Sequence, residues 1–158
     1  MDYNFRDKLW DALKIMGPTY LKPKFRKYWT PECPVAGYCY VVSEVLYHIM
    51  KEHGHEFAAY VMKVQMPGVY NEPDEVITHW FLKSPKGKIV DFTREQFPFK
   101  LNYEKGIRKF FLTSDMSKRA QVLYNLLIAL SGSLNTNQKN IGESEKDDDH
   151  DGNGAIFS

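Results

Sequence analysis

The chain has 158 residues, 43% of them hydrophobic and 15% aromatic, with a formal net charge of +1. That is enough for one domain with a real core and too little for two. No run of roughly eighteen apolar residues occurs, which excludes a membrane-spanning helix, and two cysteines are too few for a disulfide framework.

The small net charge hides an asymmetry. Residues 139–158 hold six acids against Lys139 and Lys146, a net −4, and leave the preceding 138 residues at net +5. A mildly basic body is a weak pointer to nucleic acid, and a solvated surface is the preferred reading. The first segment mixes charges of both signs and lacks the apolar region of a signal peptide, so the expected location is the cytoplasm. There Cys33 and Cys39 stay reduced; a bridge between them would need export.

Phe5, Leu9, Leu13 and Met16, with Trp10 beside them, form one apolar helical face that Gly17-Pro18 ends. Residues 17–37 carry four prolines and the stretch KPKFRKYW, which reads as a loop laid over the surface with its Lys and Arg solvated. A second helix is expected from Tyr38 to His53, on the period of Val42, Val45, Leu46, Ile49 and Met50, with Gly54 as terminator. The period then changes to that of strands at 57–66, 76–84 and 88–93, and a short one at 109–113. A third helix is expected over 114–130, capped by Ser114 or Asp115, with Val122, Leu123, Leu126 and Leu130 buried. After Gly132 only polar and acidic composition remains, and a tail over 132–158 is expected to be disordered. The single domain is therefore 1–131, an α+β unit in which a small antiparallel sheet packs against a central helix bearing Cys39.

Three residue types that thiol chemistry needs occur in the order Cys39, His79, Asp91. A cysteine in the first turn of a helix meets the positive end of the macrodipole and free N–H groups, which favour a thiolate and can hold an oxyanion. His79 and Asp91 lie on the two arms of one expected hairpin. Its loop, Ser84-Pro85-Lys86-Gly87, suits a type I turn followed by a left-handed glycine. Ser84 then faces Lys88, Phe81 faces Asp91 and His79 faces Thr93. His79 and Asp91 become diagonal neighbours on one face, about 7–8 Å apart and within reach of a hydrogen bond. A two-residue loop would put them on opposite faces. Asp91 would orient the imidazole, His79 would deprotonate Cys39, and Cys39 would attack an acyl carbon. Taken singly, each has an ordinary structural role: a Cys packs, a His in a strand hydrogen-bonds, an Asp caps a turn. The ordered set is what points to chemistry.

Other clusters are poorer. His48, His53 and His55 accompany Cys33 and Cys39, but five residues separate the cysteines, whereas structural zinc sites pair ligands two to four apart. No metal or other cofactor is expected. Asp149, Asp151 and Asn153 match the start of a calcium loop, yet the chain stops at Ser158, before the closing glutamate.

Gly37-Tyr38-Cys39, Thr78-His79-Trp80, Val90-Asp91-Phe92-Thr93-Arg94-Glu95-Gln96-Phe97, Phe111-Leu112-Thr113 and Ser117-Lys118-Arg119-Ala120-Gln121 together resemble the YunG-like proteins of bacteria and phages, over approximately residues 1–130. The resemblance implies a papain-like or NlpC-type arrangement with a Cys-His-Asp site. Members often carry Gln just before the Cys, where this chain has Tyr38; Tyr38 would then serve the oxyanion through its hydroxyl or leave that task to the backbone. Tyr40 and Trp80 would line the substrate cleft.

Three readings follow. One is a thiol hydrolase or acyltransferase acting on an amide, thioester or isopeptide bond of a small molecule or protein. Another is a non-catalytic ligand- or protein-binding module, regulatory or defence-related, that retains the fold and uses Tyr38, Tyr40, Trp80 and Phe81. A third is nucleic-acid binding by Lys22, Lys24, Arg26 and Lys27.

Overall fold

A computed structural model describes the backbone of residues 3–143 and the side chains of residues 4–132. Helix α1 (Tyr3–Met16) buries Leu9, Ala12, Leu13 and Met16 and ends where Gly17 donates back to the Leu13 carbonyl (2.9 Å) and Pro18 removes the next donor. Helix α2 (Cys39–Glu52) is buried almost all round in its first half: Cys39, Val41, Val42, Ser43, Glu44, Val45 and Leu46 are all enclosed. A helix without a polar face in its first two turns must sit inside the molecule. α2 does, with helix α3 (Lys118–Glu143) against it on one side and the sheet on the other.

The sheet has four antiparallel strands in the order β3-β2-β1-β4. β1 (Ala58–Met66) and β2 (Glu75–Lys83) pair along their whole length, from Ala58 opposite Lys83 to Met66 opposite Glu75. Ala59, Val61, Trp80 and Leu82 meet the helices on one face. Met62, Val64, Met66, Ile77 and Phe81 make a smaller core with Phe97 and Leu101 on the other.

The β2–β3 hairpin has the expected register. Leu82 pairs with Val90 and Lys83 with Ile89, and the Gly87 N–H closes the turn on the Ser84 carbonyl (3.0 Å). Gly87 has φ 91°, which a residue with a Cβ rarely adopts.

Several expectations need correction. The strand expected over 88–93 stops after two residues, β3 being Ile89–Val90. The reason is local: the Asp91 carboxylate accepts from the N–H and hydroxyl of Thr93, both at 3.1 Å, and turns the chain into a 3₁₀ segment at Arg94–Gln96. The strand expected at 109–113 is displaced to β4 (Ile107–Arg108). Gly106 there lies against Phe81, whose ring would come within 2.4 Å of an added Cβ, and beyond Lys109 the chain leaves the sheet. The stretch 17–37 is more than a surface loop, with 3₁₀ helices at Pro18–Tyr20 and Pro23–Tyr28 and with Leu21, Val35 and Ala36 buried. α3 starts after Ser117 rather than at Ser114 or Asp115, since the Ser117 Oγ accepts from the Ala120 N–H (3.3 Å) as a cap. Its backbone runs on to Glu143, past the change in composition at Gly132. The remaining tail, with Asp149, Asp151 and Asn153, lies outside the described residues.

Among the described residues no helix is long and apolar enough to cross a membrane.

Candidate active site

Cys39 is the first residue of α2, and the helix's first hydrogen bond runs from the Val42 N–H to the Tyr38 carbonyl (2.9 Å). The N–H groups of Cys39, Tyr40 and Val41 therefore lie ahead of any intrahelical acceptor, in the positive first turn. Gly37 makes the approach to this turn. Its φ is 83°, and an added Cβ would come 3.1 Å from both methyl carbons of Leu21 and 3.2 Å from the Phe25 Cβ. Its N–H donates to the Gln96 Oε1 (3.3 Å), which ties the start of α2 to the turn that carries Asp91.

β3 pairs with β2 only at Leu82 and Lys83, so residues 78–81 of β2 have no strand beside them on that edge. The thiol of Cys39 comes to this edge and donates to the Thr78 carbonyl (3.8 Å). The turn that ends β3 early thus leaves room for the start of α2 next to His79.

His79 is fully buried, between Phe97 (ring centroids 4.8 Å apart) and Phe81 (6.2 Å). The hydrogen bond expected from the hairpin register is present: His79 Nε2 lies 2.7 Å from the Asp91 Oδ2. A carboxylate only accepts, so Nε2 carries a hydrogen whatever the charge of the ring, and Nδ1 is the nitrogen that takes or releases the second proton. Nδ1 is buried and has no hydrogen-bond partner.

Burial by itself pushes the His79 pKa down. The hydrogen bond to Asp91 and the neighbouring Cys39 side chain outweigh it and raise the pKa from 6.5 to about 9. Burial would likewise push the Asp91 carboxyl up, but His79, Tyr103 and the Thr93 amide hold it below the usual carboxylate range. The Tyr103 hydroxyl donates to the same Oδ2 (2.8 Å). With Thr93 on Oδ1, the carboxylate accepts four hydrogen bonds, which fixes its plane and through it the imidazole.

Cys39, Tyr40, Thr78 and Trp80 open onto one cleft of ≈ 290 Å³. Tyr40 and Trp80 pack edge to face (4.7 Å), and the Tyr40 hydroxyl accepts from the Leu112 N–H (3.0 Å), so both rings are held as walls. Tyr38 is a correction. Its side chain is fully buried and its hydroxyl donates to the Gly17 carbonyl, away from the cleft. Tyr38 therefore braces α1 against the start of α2 and points no donor into the cleft.

Sequence reasoning also missed two positioning groups. Tyr103 arrives from an irregular 3₁₀ segment with no periodicity to mark it. Glu44 is fully buried in α2, where its carboxylate accepts from the N–H and hydroxyl of Ser117 and pins the start of α3. Its only signal was an acid within an otherwise apolar stretch. Among the described residues no group of three His, Cys, Asp or Glu side chains comes together as a metal site, and the His53 Nδ1 bonds the Ile49 carbonyl (2.8 Å) at the end of α2. Of the basic residues at 22–27, Lys27 is paired with Glu72 and Glu75, and Arg26 donates to the Leu21 carbonyl.

No family model, curated protein or solved structure matches the chain.

Proposed function

We propose that the protein is a thiol hydrolase or acyltransferase of papain-like arrangement, acting on an amide, thioester or isopeptide bond. One observation carries the reading. A fully buried His79 is held by Asp91 through Nε2, while its unpartnered Nδ1 is left for a proton beside Cys39 at a helix start. The resemblance to YunG-like proteins points the same way. Free Cys33 and Cys39 suit a reducing compartment such as the cytoplasm.

In the reaction, the Cys39 sulfur, its proton held on His79 Nδ1, forms a bond to the acyl carbon. The carbonyl oxygen takes the negative charge of the tetrahedral intermediate and is met by the first-turn N–H groups of α2. As the intermediate collapses, the bond to the leaving amine or thiol breaks and His79 returns the proton to it. Water, or an acceptor amine or thiol, then attacks the thioester on Cys39 with His79 as base, which releases the acid or the transferred acyl group and restores the thiol. Asp91 stays ionised throughout and stabilises the imidazolium.

A second reading is a binding module that keeps the fold. It is favoured by the small exposure of Cys39, 8%, and by the aromatic walls of Tyr40 and Trp80. Alkylation with iodoacetamide near neutral pH separates the two. Cys33 is a suitable internal control, since burial pushes its thiol pKa up. The catalytic reading expects Cys39 to react faster than Cys33 and to lose that lead in His79→Ala. A Cys39 no faster than Cys33, and indifferent to His79→Ala, supports the binding module instead.

A further inference from the structure

The cleft at Cys39 is lined by four cations, Lys22, Lys24, Lys109 and Arg119, and by no Asp or Glu. They come from three separate parts of the chain: the segment before α2, the end of β4 and the first turn of α3. Among the described residues the Lys and Arg side chains in ion pairs are Arg6, with Glu95, and Lys27, with Glu72 and Glu75. Among the described residues none of the four cleft cations is in an ion pair. Three of the four are nonetheless held in position. The Lys24 ammonium lies over the Phe25 ring at 4.8 Å and that of Lys109 over Trp80 at 5.9 Å. Arg119 is half-buried and one of its terminal nitrogens donates to the Tyr20 carbonyl (3.2 Å), leaving the rest of a planar fork whose geometry matches a carboxylate.

Four like charges gathered around ≈ 290 Å³ with no counter-ion repel one another, and an anion entering the cleft relieves that repulsion. We propose that the cleft selects acyl substrates bearing a carboxylate next to the bond that Cys39 attacks, with Arg119, Lys109, Lys22 and Lys24 around it. This rests on Cys39 being the nucleophile. The reacting carbonyl lies at the sulfur, the carboxylate lies among the cations, and Phe25, Tyr40 and Trp80 take the apolar part of the acyl chain. An acidic residue or a free terminal carboxylate beside the scissile bond has this chemistry.

Iodoacetate and iodoacetamide test it, since both offer the same electrophilic carbon and differ in charge. The rate constants are measured separately for Cys39 and Cys33 by peptide mapping, and the ratio of iodoacetate to iodoacetamide rates is formed for each thiol. The expected ratio is higher at Cys39 than at Cys33. It falls by about tenfold in the double variant Lys22→Gln, Lys24→Gln, or about threefold for each charge removed, and also falls in about 0.5 M salt. Both lysines are exposed, so the variant keeps its core. Equal ratios at the two thiols, or a Cys39 ratio unmoved by the substitutions, overturn the carboxylate proposal; if iodoacetamide still prefers Cys39, the thiol chemistry survives that result. A Cys39 that neither reagent prefers takes down both.

Discussion

The His79–Asp91 pair makes the stability of the fold depend on pH in a stated direction. His79 has its pKa raised from 6.5 to about 9 in the folded chain, a rise that corresponds to roughly 3 kcal/mol. Below pH 6.5 folded and unfolded chains both carry the proton, and the full stabilisation is present. Between 6.5 and 9 the unfolded chain releases its proton first, so the folded state binds more protons and stability falls as pH rises. Above 9 the contribution is gone. Asp91 works in the opposite sense at the acid end: its lowered pKa stabilises the fold above the ordinary value of 3.8, and that part is lost as the pH drops below it. The two shifts describe one interaction and are not summed. Urea melts at several pH values between 6 and 9.5, with wild type and His79→Gln side by side, measure the effect. The wild type is expected to lose on the order of 3 kcal/mol across the interval, about 10 °C in melting temperature. The variant starts lower and stays level between 6.5 and 9, which separates His79 from Cys33 and other groups that titrate near the top of the range. A flat wild-type curve, or a variant with the same slope, would refute a buried, charged His79.

Two substitutions probe the groups around that pair. Tyr103→Phe removes one of the four hydrogen bonds on the Asp91 carboxylate; it is expected to cost about 1 kcal/mol in a urea melt and to raise the pH at which the Asp91 carboxyl titrates by NMR, since that hydrogen bond helps hold it down. Glu44→Ala leaves the N–H and hydroxyl of Ser117 without their acceptor at the start of α3. It is expected to destabilise by about 3 kcal/mol and to speed hydrogen exchange in the first turns of α3.

Much of this site is legible in local chemistry. The Pro85–Gly87 turn forces the register that pairs Leu82 with Val90, and that register brings His79 to Asp91 without any knowledge of the rest of the chain. The start of α2 is legible for a similar reason, because Gly37 and the apolar period behind Cys39 are both local signals. What escapes local reasoning is direction and long reach. Nothing near Tyr38 says that its hydroxyl turns to Gly17, 21 residues upstream. Glu44 and Ser117 are 73 residues apart, and their pairing exists only once α3 lies along α2. Lys22 and Lys24 look like a solvated face until the folded chain brings Lys109 and Arg119 to the same cleft. The short β3 is a further case: its residues have strand propensity, but the Asp91 side chain competes for the Thr93 backbone and wins.

The central claim is that Cys39 accepts an acyl group with His79 as its base. Incubation with p-nitrophenyl acetate, followed by intact-mass measurement and peptide mapping, tests it most directly. The account predicts acetylation located on Cys39 and a burst of about one equivalent of p-nitrophenolate, followed by further release as water clears the thioester. It predicts no acetylation in Cys39→Ser and acetylation slowed about a hundredfold or more in His79→Ala. Release of p-nitrophenolate no faster than in Cys39→Ser, an adduct shared equally with Cys33, or a rate untouched by His79→Ala would contradict it.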